Sequence, residues 1–219
     1  MASTKSSQPR TRKKPPASYH HGDLRRALLE TTEELLERSG LEAFTLREVA
    51  RRAGVSHGAP AHHFGDAQGL LTAFTADSFA LLADSMAARR RDAPPSPFEQ
   101  LVATGIGYVE FALAHRARFQ LMFRSDRLDV TDEALQQSGS RAYRELVDCI
   151  EALVAASRAP RGTVQPKIAL AWSIVHGFAT LMIDNADFAG GVGRDRAAAI
   201  GMLRTMLALA RPAVERSRP

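Results

Sequence analysis

The sequence predicts an all-α protein. Apolar residues recur at spacings of three and four along almost every segment, which is the pattern of helices that bury one face. Alternating apolar and polar runs bounded by turn residues, which would indicate strands, do not occur in the sequence. Gly40, Gly54 and the three prolines between Asp92 and Pro97 separate the periodic segments, as helix stop signals do.

Composition limits the class of protein. A chain of 219 residues fits one compact domain with an appendage or two small units. Its 45% hydrophobic and 24% charged residues are ordinary for a soluble globular protein. Cys149 is the only cysteine, which excludes an internal disulfide and any multi-cysteine metal site. The N-terminus is polar and basic and resembles no secretion signal, so we expect a cytoplasmic protein.

The basic charge is concentrated at the N-terminus. Five cationic side chains precede the first acidic residue, namely Lys5, Arg10, Arg12, Lys13 and Lys14. They account for the whole net charge of +5, because the other 24 Lys and Arg residues balance the 24 Asp and Glu residues. A basic tail favours a polyanionic partner, although a solvated flexible leader has the same composition.

The first strong helix is predicted from Asp23 to Ser39, with Leu24, Leu28 and Leu35 on one stripe. A second, short helix follows. Its start is indicated by Thr45 as N-cap, with Glu48 three residues later to close a capping box.

The end of the second helix predicts a helix-turn-helix. Gly54 favours a left-handed C-cap, and Val55 is expected to fold back toward Ala50. The turn is assigned to residues 54–56, and a third helix is expected to open at Ser56 or His57 and to end near Phe64. Two short helices joined by such a turn are typical of units that read the major groove, although a plain helical hairpin has the same pattern.

A long helix is predicted from Ala67 to Arg91, capped by Asp66, and Asp92 to Pro97 forms the clearest linker. Further helices are predicted at Phe98 to Ala114, Arg116 to Phe123, Asp132 to Ala156, Val164 to Asp184 and Asp195 to Ala210.

No charged residue occurs from Ile168 to Ile183. A membrane span is the first alternative, but these sixteen residues are fewer than the roughly 20 that a span requires. A helix covered by its own core on one side and by a second subunit on the other is the preferred interpretation.

Several short stretches resemble the TetR/AcrR family of repressors. They are Tyr19-His20-His21-Gly22-Asp23-Leu24-Arg25, Phe44-Thr45-Leu46-Arg47-Glu48-Val49-Ala50, Ala53-Gly54-Val55-Ser56 and His63-Phe64. The C-terminal stretch Ala171-Trp172-Ser173-Ile174-Val175-His176-Gly177 resembles the Trp-His-Gly class of that family. The resemblance implies about nine helices, divided into a tail at 1–18, a DNA-binding domain at 19–81 and a helical ligand-binding and dimerisation domain at 82–215.

The resemblance also implies which residues contact DNA. The expected set is Thr45, Arg47, Ser56, His57, Gly58, Ala59, Ala61, His62 and His63, joined by Lys13 and Lys14 of the tail. Histidine rings offer nitrogens to base edges or phosphates, and small residues permit close approach to thymine methyl groups. A tyrosine and a basic residue that are usual in the family are replaced by Ala61 and Ala67, so we hypothesise greater reliance on the tail or weaker binding.

Aromatic and polarisable residues of the C-terminal part define a candidate effector site. The expected set is Tyr108, Phe111, Phe119, Met122, Tyr143, Trp172 and His176. Residues of this kind form either ordinary core or a pocket for a small hydrophobic molecule, and the family resemblance favours the pocket.

The resemblance therefore implies a homodimeric repressor that binds a palindromic operator on double-stranded DNA and is released by an effector. We expect no catalytic residues, no cofactor and no metal site, because no nucleophile with a base or phosphate-binding loop stands out. A metal-responsive or redox-responsive regulator, with Cys149 as the redox group, and a helical enzyme are the alternatives.

Overall fold

The computed structural model describes residues 21–157, 160–185 and 187–215, in which helices joined by turns and short connections occur and no strand is found. The helices are α1 (His21–Ser39), α2 (Leu46–Ala53), α3 (Ala59–Phe64), α4 (Ala67–Arg91), α5 (Pro97–Ala114), α6 (Arg116–Met122), α7 (Glu133–Ala156), α8 (Val164–Asp184), α9 (Phe188–Gly191) and α10 (Arg196–Glu215). The predicted fold class is confirmed, and nine of the described helices have six or more residues.

The helix ends agree with the prediction except at α3 and α10. Helix α3 begins at Ala59, later than expected, because residues 57 and 58 belong to the turn. Helix α10 continues to Glu215, past the end predicted at Ala210. Pro212 lies close to the end of α10, where it removes only one helical hydrogen bond. The buried Lys167 Nζ donates to the Val214 carbonyl oxygen at 2.6 Å, which anchors this last turn.

Two apolar cores lie on either side of α4. The first joins α1, α2 and the start of α4, with Leu28, Val49 and Phe74 fully buried. The second joins α5, α7, α8 and α10 around residues such as Ile150 and Phe178. A third, smaller cluster includes Leu82, Ala83 and Met86 of α4. Helix α4 therefore packs against both halves of the chain.

Arg118 of α6 ties the N-terminal helices to the rest of the chain. Its guanidinium lies 2.8 Å from the Glu33 carboxylate of α1 and 2.7 Å from the Asp77 carboxylate of α4. The same group stacks over the Phe74 ring at 4.4 Å. Burial raises the pKa of Glu33, but hydrogen bonds with Arg118 and His115 outweigh it, so this pKa lies below its ordinary value of 4.5.

Replacing Arg118 by methionine is expected to lower the free energy of unfolding by about 3 kcal/mol, because it leaves partly buried carboxylates without their cation. A lowered pKa in the folded state means that the Glu33 contribution is present above pH 4.5 and is lost as the pH falls through the folded pKa. Urea titrations at several pH values across this range measure the effect. The free energy of unfolding should fall more steeply with decreasing pH in the unsubstituted protein than in Arg118→Met.

The matched control is Arg116→Met, which changes an exposed arginine of the same helix. Its stability should stay within about 0.5 kcal/mol of the unsubstituted protein. Equal destabilisation by the two substitutions would contradict the assigned role of Arg118.

Within the described part of the chain, three helices, α4, α8 and α10, are long and apolar enough by length and composition to cross a membrane. The length argument made from the sequence against a span at α8 is therefore wrong, because α8 has 21 residues and extends beyond the charge-free stretch. Only 39% of the most apolar window of α8 and 22% of that of α10 are buried within the chain. These two helices thus leave apolar surface uncovered.

Candidate nucleic-acid interface and internal cavity

The start of α2 is fixed by its N-cap. Thr45 Oγ1 accepts a hydrogen bond from the Glu48 backbone N–H at 3.2 Å, as predicted. The reciprocal hydrogen bond of a capping box, from the Thr45 backbone N–H to the Glu48 carboxylate, is not formed. The Glu48 carboxylate instead accepts hydrogen bonds from Arg51 and Arg52 at 2.7–2.8 Å. Hydrogen bonds from these two arginines lower the pKa of Glu48 to about 2. Only the Thr45 half of the predicted capping box is therefore present, and an ion-pair cluster on α2 replaces the Glu48 half.

The end of α2 has the predicted left-handed cap. Gly54 adopts φ 68° and ψ 29°, and its N–H donates to the Arg51 carbonyl oxygen at 3.4 Å. The Val55 N–H donates to the Ala50 carbonyl oxygen at 3.1 Å, which completes the reversal of the chain. Ala50 is fully buried beneath this turn.

Replacing Gly54 by alanine is expected to lower the free energy of unfolding by about 1–2 kcal/mol, because a Cβ disfavours the left-handed conformation. Gly58→Ala is the matched control, since Gly58 closes the same turn at φ −83° with open space around a Cβ. Chemical denaturation of both variants measures the difference. Equal losses at the two glycines would contradict this account of the turn.

The turn between α2 and α3 is longer than predicted and spans residues 54–58. The Ala59 N–H donates to the Ser56 carbonyl oxygen at 3.0 Å, and the Gly58 carbonyl oxygen accepts the first helical hydrogen bond from His62 at 2.9 Å. Pro60 lies in the first turn of α3, as expected, and is buried. Ser56 and His57 therefore precede the helix and are exposed on the connection.

Most residues predicted to contact DNA are accessible. The exposed ones are Thr45, Arg47, Ser56, His57, Gly58, Ala61 and His62, whereas Ala59 and His63 are half-buried. Lys13 and Lys14 lie outside the described residues. The exposed face of the α2–turn–α3 unit thus combines polar side chains with positions that carry little bulk.

The histidines of α3 do not form a metal site with other ligands in the described part of the chain. The rings of His62 and His63 are 5.5 Å apart and meet edge to face. No cluster of three or more His, Cys, Asp or Glu side chains occurs among the described residues.

A small apolar cavity lies among α4, α5, α7, α8 and α10; we call it the inner cavity. Its volume is about 80 Å³. Four of the predicted effector residues line it, namely Tyr108, Tyr143, Trp172 and His176. The Tyr108 hydroxyl and His176 Nδ1 are 2.8 Å apart and form its polar group. Burial raises the pKa of Tyr108 and lowers that of His176, which favours the neutral form of both.

Three predicted effector residues do not line the inner cavity. Phe111 and Met122 are buried in the cluster with Leu82 and Met86. Phe119 lines the larger opening beside the cavity instead, with its ring centroid 5.7 Å from that of Tyr108.

Sequence reasoning missed the contribution of α4 to the inner cavity. Phe79, Leu82 and Met86 line it from α4, and Phe123 lines it from the end of α6. The spacing of three and four along α4 was the available signal, because these three residues share one face of that helix.

A larger opening adjoins the inner cavity; we call it the outer cleft. Its volume is about 460 Å³, and it lies between the end of α1, helix α6 and the end of α8. Phe123 and His176 line both spaces, and their ring centroids are 4.5 Å apart. Unlike the inner cavity, the outer cleft is partly polar, with Arg124 and Asp184 on its wall.

Cys149 is buried, and its environment is polar on one side. Its Sγ lies 3.3 Å from Thr104 Oγ1 and 3.8 Å from a guanidinium nitrogen of Arg90. Such burial is typical of a cysteine that packs as a small apolar side chain.

Comparison with known proteins decides the family. The family model described as bacterial regulatory proteins, tetR family, matches residues 28–74. The model described as tetracyclin repressor-like, C-terminal domain, matches residues 101–207. The chain belongs to the TetR family. The first match includes α2, the turn and α3, and the second includes the inner-cavity residues of α5, α7, α8 and α10 but not those of α4.

Solved structures share the fold of this TetR-family chain. A protein of unknown function from Rhodococcus sp. RHA1 is 32% identical, with a TM-score of 0.71 over 87% of this chain and 98% of that one. The regulator PfmR from Thermus thermophilus is 18% identical and shares the fold, with a TM-score of 0.63 over 89% of this chain and 96% of that one.

The curated relatives match only part of this TetR-family chain. The regulator BetI of Escherichia coli is 36% identical over 83 residues, which are 38% of this chain and 43% of the relative. The match thus spans less than half the length of the curated relatives. The predicted Trp-His-Gly class is not confirmed by the C-terminal match and stays a prediction.

Proposed function

We propose that this TetR-family chain is a homodimeric, cytoplasmic repressor that binds palindromic DNA and is released by a small effector. The observation that carries the proposal is the α2–turn–α3 unit, which is capped at Thr45, reversed at Gly54 and exposed along its polar face. Such a unit presents its second helix to the major groove, and here that helix is α3.

The uncovered faces of α8 and α10 support a dimer. Ala169, Ser173, Gly177 and Leu181 follow one another at four-residue spacing on α8; Gly177 is partly exposed and the other three are exposed. A Cβ added to Gly177, or to Gly201 on α10, would meet nothing within 4 Å. Helices from a second chain can therefore approach closely, as in a four-helix interface.

On α10 the same surface is more apolar. Leu209 is 78% exposed, the highest value among the large apolar residues of the described part of the chain. Burial of such a side chain against a symmetric partner stabilises a dimer by roughly 1.5–3 kcal/mol.

The path from effector to DNA runs along α4. Phe79, Leu82 and Met86 line the inner cavity, and the first turn of the same helix packs against α3. Gly69 makes this close packing possible, because a Cβ there would lie 2.0 Å from the Phe64 carbonyl oxygen. A ligand that moves α4 therefore changes the position of α3 and the spacing of the two recognition helices, which must be about 34–36 Å.

A gel-shift titration tests the proposal, with a duplex from the region upstream of the chain's own gene as probe. The proposal predicts a complex of two chains per duplex that survives excess unrelated DNA. A duplex carrying only half of any palindrome found there is the matched control and should bind at least tenfold more weakly. Equal affinity for the probe and for unrelated DNA would contradict the proposal.

A further inference from the structure

We propose that the effector is an amphipathic cation, with its apolar part in the inner cavity and its cationic group in the outer cleft. This inference rests on the proposed function and names the chemical class of its ligand. It goes beyond the small hydrophobic molecule that the aromatic residues alone indicate.

The sizes of the two spaces require a ligand that extends beyond the inner cavity. Ligand pockets usually measure about 300–1,000 Å³. The inner cavity holds about 80 Å³, whereas the outer cleft holds about 460 Å³. Phe123 and His176 separate the two spaces and belong to the wall of both. Their ring centroids are only 4.5 Å apart, so a narrow chain that occupies both spaces displaces the Phe123 ring, which is 39% exposed.

The backbone makes the outer cleft electronegative. The C-terminal ends of α1, α6 and α8 lie at the cleft, and the lining includes Gly40 after α1, Phe123 after α6 and Asp184 at the end of α8. Each helix C-terminus carries a partial negative charge of roughly half an electron. Three such ends at one opening favour a cation and disfavour a carboxylate or phosphate.

The charged side chains act in the same direction. The Asp184 carboxylate has no hydrogen-bond or ion-pair partner among the residues that the structure describes. Arg124 is the only arginine or lysine among the described residues of the cleft wall. Asp126 neutralises it through two contacts, from Nε at 2.9 Å and from Nη2 at 3.1 Å. The net charge presented to a ligand is therefore negative.

The inner cavity suits only the apolar part of the ligand. No Asp, Glu, Lys or Arg side chain is among the described residues that line it. Burial keeps His176 neutral, because it lowers the pKa of the ring, and Tyr108 occupies its Nδ1. A charged group in this space would have no partner, which makes its transfer from water unfavourable.

Calorimetric titration of the full-length dimer tests the inference with three probes of equal chain length. They are decyltrimethylammonium, decanol and decanoate, all used below their aggregation concentrations. We expect decyltrimethylammonium to bind at least tenfold more tightly than decanoate. Asp184→Asn should lower the affinity for decyltrimethylammonium by about three- to tenfold and leave the affinity for decanol unchanged. Asp148→Asn removes an exposed carboxylate of α7 outside the cleft and is the control. It should change neither of these two affinities.

The outcomes separate this inference from the proposed function. Decanoate binding as tightly as the cation, or an Asp184→Asn variant with unchanged cation affinity, overturns the inference. If either of these outcomes is found and the protein still binds its operator normally, the repressor proposal stands. Tight cation binding that depends on Asp184 but leaves operator affinity unchanged supports the ligand class and contradicts ligand-relieved repression.

Discussion

Replacing Leu209 by glutamate is expected to lower the affinity for operator DNA by at least about a hundredfold. The twofold axis of the proposed dimer duplicates the change, so that two unpaired carboxylates must be buried in an apolar interface. Such burial costs about 3 kcal/mol or more, which corresponds to roughly a hundredfold in the dimer equilibrium. A single chain presents only one recognition helix and loses the second half-site.

Sedimentation velocity and DNA titration at the same protein concentration check this prediction together. Val130→Glu is the matched control, because Val130 is a 53% exposed apolar residue that lies outside α8 and α10. It should leave both the dimer and DNA binding unchanged. A Leu209→Glu protein that sediments as a dimer would show that α10 does not form the interface.

Replacing Ala61 by glutamate is expected to lower DNA affinity by roughly ten- to a hundredfold, without loss of stability. Ala61 is exposed on α3, so the new carboxylate needs no burial in the free protein. In the complex it would lie in the major groove, where it repels phosphates and removes a close apolar contact.

Ala134→Glu provides the control, because Ala134 is an exposed alanine in the first turn of α7, far along the chain from α3. The two variants carry the same charge change and should have the same thermal midpoint. Fluorescence anisotropy with a labelled duplex separates them. Unchanged affinity in Ala61→Glu would remove α3 from the DNA interface.

Local backbone chemistry explains why the sequence predicts the helix boundaries so well. Asp66 and Asp132 accept hydrogen bonds from the backbone N–H groups of Gly69 and Leu135, each at 2.8 Å, and so fix the starts of α4 and α7. Gly54 fixes the end of α2 in the same local way. Capping involves only groups within a few residues of each other, so a sequence is sufficient to identify it.

The cavity depends on contacts between distant segments and is harder to predict. Tyr108 and Phe111 are three residues apart on α5, yet only Tyr108 lines the inner cavity, because Phe111 packs into the cluster with Met86. Periodicity groups residues by face, but the crossing of the helices decides which part of that face borders a space. Side-chain pairing on α2 was also not predicted from the sequence. The Glu48 carboxylate accepts hydrogen bonds from Arg51 and Arg52 and not from the Thr45 backbone.

Selection of bound sequences from a random duplex pool tests the central claim most directly. The account predicts enrichment of a palindrome whose half-site centres are about 34–36 Å apart, bound by one dimer. It also predicts that the enriched duplex binds at least about a thousandfold more tightly than the starting pool. A pool that shows no enrichment, or a single half-site bound by one chain, would contradict it.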